Sequence, residues 1–95
     1  MTVTVYVSWE THEILTKEQF EEEVKSLLEN IRDDKYEYDE RLCAFLEGKE
    51  IDQIDLFHMA EIDRKALHKE FDEWIIEDAR VQLLEEHFEE TELNI

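Results

Sequence analysis

Apolar residues recur every seven positions at Ala60, Leu67, Trp74, Val81 and Phe88, a spacing that stacks them along one side of a long helix. Phe71, Ile75 and Leu84 widen this seam, and Ile76, Ala79 and Leu83 add a second apolar strip. A helix that is apolar on two sides is expected to be central. Over Thr2–Trp9 the period changes to two, with Val3, Val5, Val7 and Trp9 on one face and Thr2, Thr4, Tyr6 and Ser8 on the other. This predicts a strand whose valine face is buried. His12–Leu15 reads as a short returning strand after a turn around Glu10 and Thr11, although no Gly or Asn supplies the usual turn chemistry.

Thr16 and Gln19 form the signature of a helix N-cap with a capping box. The helix is expected from Lys17 to about Arg32, with Phe20, Val24, Leu27, Leu28 and Ile31 inward. Asp33 and Asp34 break the pattern, and a second helix follows from about Tyr36 to Glu47 with Tyr38, Leu42, Phe45 and Leu46 inward. Gly48, the one glycine of the chain, stands where a left-handed cap residue is wanted. Asp52 caps a single turn through Ile54, Leu56 and Phe57, and the long helix then starts near Ala60. Glu90–Ile95 alternates again and predicts a last strand beside the first. The expectation is one α+β domain over residues 1–95. A small antiparallel sheet, made by the N-terminal hairpin with or without the C-terminal strand, packs its Val3/Val5/Val7 face on about three helices, the last one long and central.

Composition adds a strong charge signal. The 28 acidic residues against 10 basic ones give a formal net charge of −18, whereas a magnitude of roughly 2 to 8 keeps a small domain soluble. Self-repulsion at this density predicts a fold that salt stabilises. At 42% hydrophobic and 11% aromatic residues the chain has the means to fold despite its charge. So acidic a surface is repelled by anionic lipid and by phosphate, which argues against membrane-surface binding and direct nucleic-acid binding and makes a basic protein the expected partner. No apolar stretch reaches the roughly 18 residues of a membrane span and no signal-peptide pattern is visible. The one cysteine, Cys43, sits among Leu42, Phe45 and Leu46, where it reads as a small buried hydrophobe. A cytoplasmic protein is expected.

No residue constellation specifies a reaction. His68 with Asp72 and His87 with Glu90 have helical spacing but lack a third and fourth metal ligand. The calcium loop with acids at alternate positions is absent, and a single glycine excludes a glycine-rich phosphate loop. Ser8 and Ser26 belong to no nucleophile elbow. The expectation is a protein without catalytic residues, metal or cofactor, and therefore not an enzyme.

The charge itself has bland explanations. An acidic helix face is usually just solvated, and proteins of high-salt habitats turn acidic, although here glutamate outnumbers aspartate by 20 to 8 and lysine is not depleted relative to arginine. The functional reading is a surface that presents carboxylates to a basic groove. The candidate residues are Glu70, Glu73 and Glu77 on the long helix, continuing to Glu85, Glu86, Glu89 and Glu90, with Glu22, Glu29, Asp33 and Asp34 on the first helix as a second line. The run FDEWIIEDARVQLLEEHFEE, residues 71–90, resembles in its interleaved aromatics and acids the small acidic proteins of phages and mobile elements, among them DNA mimics of the anti-restriction and anti-CRISPR type. The likeness covers about a fifth of the chain and lies in texture rather than motif, so it carries over no individual residue. It implies inhibition of a nucleic-acid-binding host protein by occupation of its basic groove. Two other expectations stand beside it. One is a small interaction module, a homodimer or adaptor, anchored on Trp9, Tyr36, Tyr38 and Trp74. The other is an immunity or antitoxin protein for a basic nuclease.

Overall fold

A computed structural model describes residues 1–95. Thr16 caps the first helix, α1 (Lys17–Asp33): its side chain accepts from the Gln19 N–H, and the Gln19 side chain accepts from the Thr16 N–H. Phe20, Val24, Leu28 and Ile31 form its buried stripe, as the spacing predicts. Asp34 ends α1 and at once caps α2 (Lys35–Gly48), accepting from the Tyr36 and Glu37 N–H groups. One residue therefore does the work of a loop and folds α2 back on α1. Asp52 and Asp55 make a second capping box for the short α3 (Gln53–His58). The long α4 (Glu61–Glu86) follows, with Ala60 at its N-cap. At about 1.5 Å per residue its 26 residues run about 39 Å, most of the 54 Å length of a molecule that measures 28 by 19 Å across.

The sheet is antiparallel in the order β2-β1-β3. β1 (Thr2–Ser8) pairs along its whole length with β3 (Phe88–Asn94), while β2 (Ile14–Leu15) pairs only with Tyr6 and Val7. The fold is the expected α+β arrangement with a long last helix; the sheet includes the C-terminal strand, and there are four helices where about three were expected. Ten side chains form one core: Tyr6, Phe20, Val24, Leu28, Ile31, Phe45, Phe71, Ile75, Ala79 and Leu83.

Four local expectations change. The buried stripe of α4 is Phe71, Ile75, Ala79 and Leu83, spaced by four, rather than the seven-residue seam. Ala60, Ile76 and Val81 are exposed, Trp74 is half-buried, and Phe88 lies on β3. Trp74 lies one residue, and so about 100°, round the helix from Ile75, and only the side of α4 that meets α1, α2 and β3 is covered. The sheet also presents its other face to the helices. Tyr6 stacks on Phe20 with ring centroids 3.9 Å apart, and Phe20 meets Phe88 edge-on at 5.5 Å. Val5 is buried among its strand neighbours but lies outside the core cluster, and Val3, Ile14 and Leu93 share its outward face with 40%, 58% and 43% exposure. Aromatic area outweighs valine area: Tyr6 faces the aromatic stripe it can stack on, and the alternation sends the valines outward. Gly48 is the last residue of α2 and has no positive φ; the left-handed residue is Glu50, at φ 59°. Cys43, two residues and about 200° round α2 from the buried Phe45, is exposed.

Candidate functional site

All eleven candidate carboxylates are exposed, but the fold uses them differently. Glu22, Glu29 and Asp33 lie on the side of α1 opposite Phe20, Val24 and Ile31, about 180° to 220° round the helix from Phe20. They point outward over about 17 Å of helix. Asp34 is committed to the α2 cap.

On α4, Glu70, Glu73 and Glu77 share an arc of about 60°. Glu70 is bound by Lys49 and Glu77 by Arg80, which leaves Glu73 as the carboxylate of the three without a cation. The ring of Trp74 stands beside them, between Phe45 at 5.5 Å and Phe71 at 6.0 Å. Glu85 and Glu86 close the helix, but Glu86 lies about 160° round from Glu70, so the acids do not continue as one line. Glu86 sits near His87 and Gln82. Glu89 and Glu90 belong to β3: Glu89 shares the outward sheet face with Val7, and Glu90 stands opposite Tyr6 on the helix side. Helical spacing misplaces them because α4 stops at Glu86, where the alternation of Phe88–Asn94 takes over.

Three of the four arginines are used inside the fold. Arg80 holds Glu21 through Nε and Nη2 at 3.1 and 2.8 Å and also reaches Glu77, tying α4 to α1. This hydrogen bond, against the opposing effect of burial, keeps the Glu21 carboxyl below its usual range. Burial first, then Glu90 and Glu21, pushes the Tyr6 hydroxyl upward. Arg41 ties α2 to α4 through Asp78 and Gln82, its Nε lying 3.8 Å from Glu37. Arg64 donates to the Leu56 and Phe57 carbonyls and so closes the end of α3. Lys65 pairs with Glu61. Sequence reasoning missed the Arg41 and Arg80 bridges because they join residues 37 to 59 positions apart.

The candidate carboxylates thus lie at the surface of α1, α4 and β3 rather than on two helices alone, while much of the positive charge is turned inward or neutralised. Net charge −18 along 54 Å is one charge per 3 Å of length. One strand of B-DNA carries one per about 3.4 Å, and the duplex one per about 1.7 Å. No three His, Cys, Asp or Glu side chains converge as metal ligands. No helix is long and apolar enough to cross a membrane. An apolar cleft of about 200 Å³ lies between α2, α3 and α4, lined by Leu42, Phe45, Leu46, Leu56, Leu67 and Phe71. Its one arginine, Arg64, is the one that closes α3, so the cleft has no free guanidinium for an anion. The sequence matches no protein-family model, and neither the curated proteins nor the solved structures include one similar to it.

Proposed function

We propose that the protein is an acidic binding protein that occupies the basic groove of a nucleic-acid-binding protein in place of nucleic acid. The observation that carries this reading is the linear charge density, one net charge per 3 Å of a 54 Å molecule, close to that of a nucleic-acid strand. A groove lined with Lys and Arg binds DNA largely through such charge, whatever the base sequence. Carboxylates on packed helices hold the same charge on a scaffold that need not be ordered on binding, so less entropy is lost. Glu22, Glu29, Asp33 and Glu73 are the residues the reading rests on most, since they lie along α1 and the middle of α4 and neither an ion pair nor a cap occupies them, while the equally unpaired Glu85, Glu89 and Glu90 lie at the end of α4 and on β3. The mechanism is occlusion: fast association steered by charge, strongly weakened by salt, with no bond made or broken.

A second reading has its own support. Trp9 is 50% and Tyr36 78% exposed, and exposed aromatics with a polar handle are frequent binding anchors. An interaction module that docks through them binds with little dependence on salt.

Immobilised protein challenged with bacterial lysate and eluted stepwise with salt separates the two. Under the mimic reading, nucleic-acid-processing proteins elute between about 0.2 and 0.5 M salt, and added duplex DNA displaces them. A partner that survives high salt and ignores DNA overturns that reading in favour of aromatic docking.

A further inference from the structure

Residues 1–9, MTVTVYVSW, are the longest stretch without an acidic or basic side chain in a sequence that is 40% charged. They contain β1, whose backbone is paired unevenly. The Ile95 N–H donates to the Met1 carbonyl at one end of the ladder, and the Trp9 N–H donates to the His87 carbonyl at the other. Backbone groups alternate sides along a strand, so the odd residues aim theirs at β3 and the even residues aim theirs at the opposite edge. On that edge the Ser8 N–H donates to the Glu13 carbonyl and Tyr6 lies opposite Leu15. β2 ends there, because Lys17 already belongs to α1. The N–H and C=O groups of Thr2 and Thr4 therefore line an edge on which no strand of the fold pairs. The outer edge of the sheet, β3, is different: Glu89, Glu90 and Glu92 guard it with charge, a common protection against edge-to-edge association. β1 has no such guard.

We propose that the Thr2–Thr4 edge is a homodimer interface, pairing antiparallel with the same edge of a second copy about a twofold axis through Val3 to give one six-stranded sheet. The segment is self-complementary. Thr2 faces Thr4 of the second copy, and Thr4 faces its Thr2, so the four open backbone groups of each chain meet in four hydrogen bonds. Two cross-strand threonine pairs form beside them, a favourable pairing. Val3 faces its own equivalent in a non-hydrogen-bonded pair, with Cα atoms about 4.5 Å apart. The outward Val3, Val5, Ile14 and Leu93 side chains of both copies then share one apolar face. Absence of acidic side chains on this segment lets two chains of net charge −18 approach there. Three residues at about 3.4 Å give a contact about 10 Å long, the size of a weak, concentration-dependent interface. The proposal is independent of the reading of the acidic surface.

Sedimentation velocity from about 10 µM to about 1 mM, at low and high NaCl, tests it. Dimer is expected to increase with concentration and with salt, since salt screens the repulsion between copies. Thr4→Pro should abolish the dimer and leave the fold intact, because the N–H it removes points to the open edge rather than to β3. Val3→Glu, which sets two carboxylates face to face, should do the same and decides the matter if the proline variant does not fold. Val3→Cys in a Cys43→Ser background should oxidise to a covalent dimer, and Leu93→Cys, one strand further from the axis, should not. Wild-type protein that stays monomeric throughout overturns the proposal. So does a folded Val3→Glu variant that dimerises like the wild type.

Discussion

Phe20 joins the sheet to the helices, and replacing it tests which face of the sheet is in the core. It is fully buried, stacked on Tyr6 and edge-on to Phe88. Phe20→Leu keeps an apolar side chain but removes both ring contacts, each worth about 0.5 to 1.5 kcal/mol beyond burial. The expected loss is about 1 to 3 kcal/mol. For a domain of this size, about 2 kcal/mol lowers Tm by about 8 to 16 °C. Val3→Thr and Leu93→Thr, on the outward face, keep strand propensity and should each cost no more than about 0.5 kcal/mol. Urea unfolding at low micromolar protein, followed by tryptophan fluorescence and far-UV circular dichroism, gives the midpoints, with an unchanged m-value showing that the same surface is exposed on unfolding. If Val3→Thr costs as much as Phe20→Leu, the valine face is the buried one and the packing described here is refuted.

Gly48→Ala should stabilise the protein by about 0.5 to 1 kcal/mol, because Gly48 is helical, lacks a positive φ and has open space where a Cβ would go; a loss of stability in denaturant titration would contradict that geometry. Glu21→Gln should cost about 1 kcal/mol at pH 7. The folded-state pKa of Glu21 lies below its unfolded value, so its contribution is present above the unfolded pKa and disappears as pH falls through the folded one. The gap in Tm between wild type and variant should therefore close on acidification, and a gap independent of pH would refute the link to Arg80. Raising NaCl from 0.1 to 1 M shortens the Debye length from about 10 to about 3 Å and should raise Tm, whereas a fall would mean that the ion pairs outweigh the repulsion.

The elements were legible wherever pattern and chemistry are local. The Thr16/Gln19 box, the Asp34 and Asp52 caps and the alternation at both ends of the chain place α1, α2, α3, β1 and β3 to within a few residues. Choices that depend on tertiary packing were not. Both faces of β1 carry apolar residues, and only the position of Phe20 selects Tyr6 over the valines. On α4 two apolar strips compete, and the placement of α1 and α2 selects Phe71, Ile75, Ala79 and Leu83. Acid content pointed to the outward face of α1, but it gave no sign that Lys49 and Arg80 engage Glu70 and Glu77. That pairing matters for mutagenesis, since reversing Glu70 or Glu77 would set like charges against each other inside the fold and confuse lost binding with lost packing.

If outward carboxylates stand in for a nucleic-acid backbone, reversing four that no ion pair or cap occupies, on α1 and α4, should abolish binding. Glu22, Glu29, Asp33 and Glu73 replaced together by lysine take the net charge from −18 to −10 without touching Arg80, Arg41 or Lys49 or their partners. The variant should fold with an equal or higher Tm, since repulsion within α1 is relieved; the wild type is expected to capture DNA-displaceable proteins at low salt and the variant to lose them. A folded variant that captures them as well as the wild type would contradict the account.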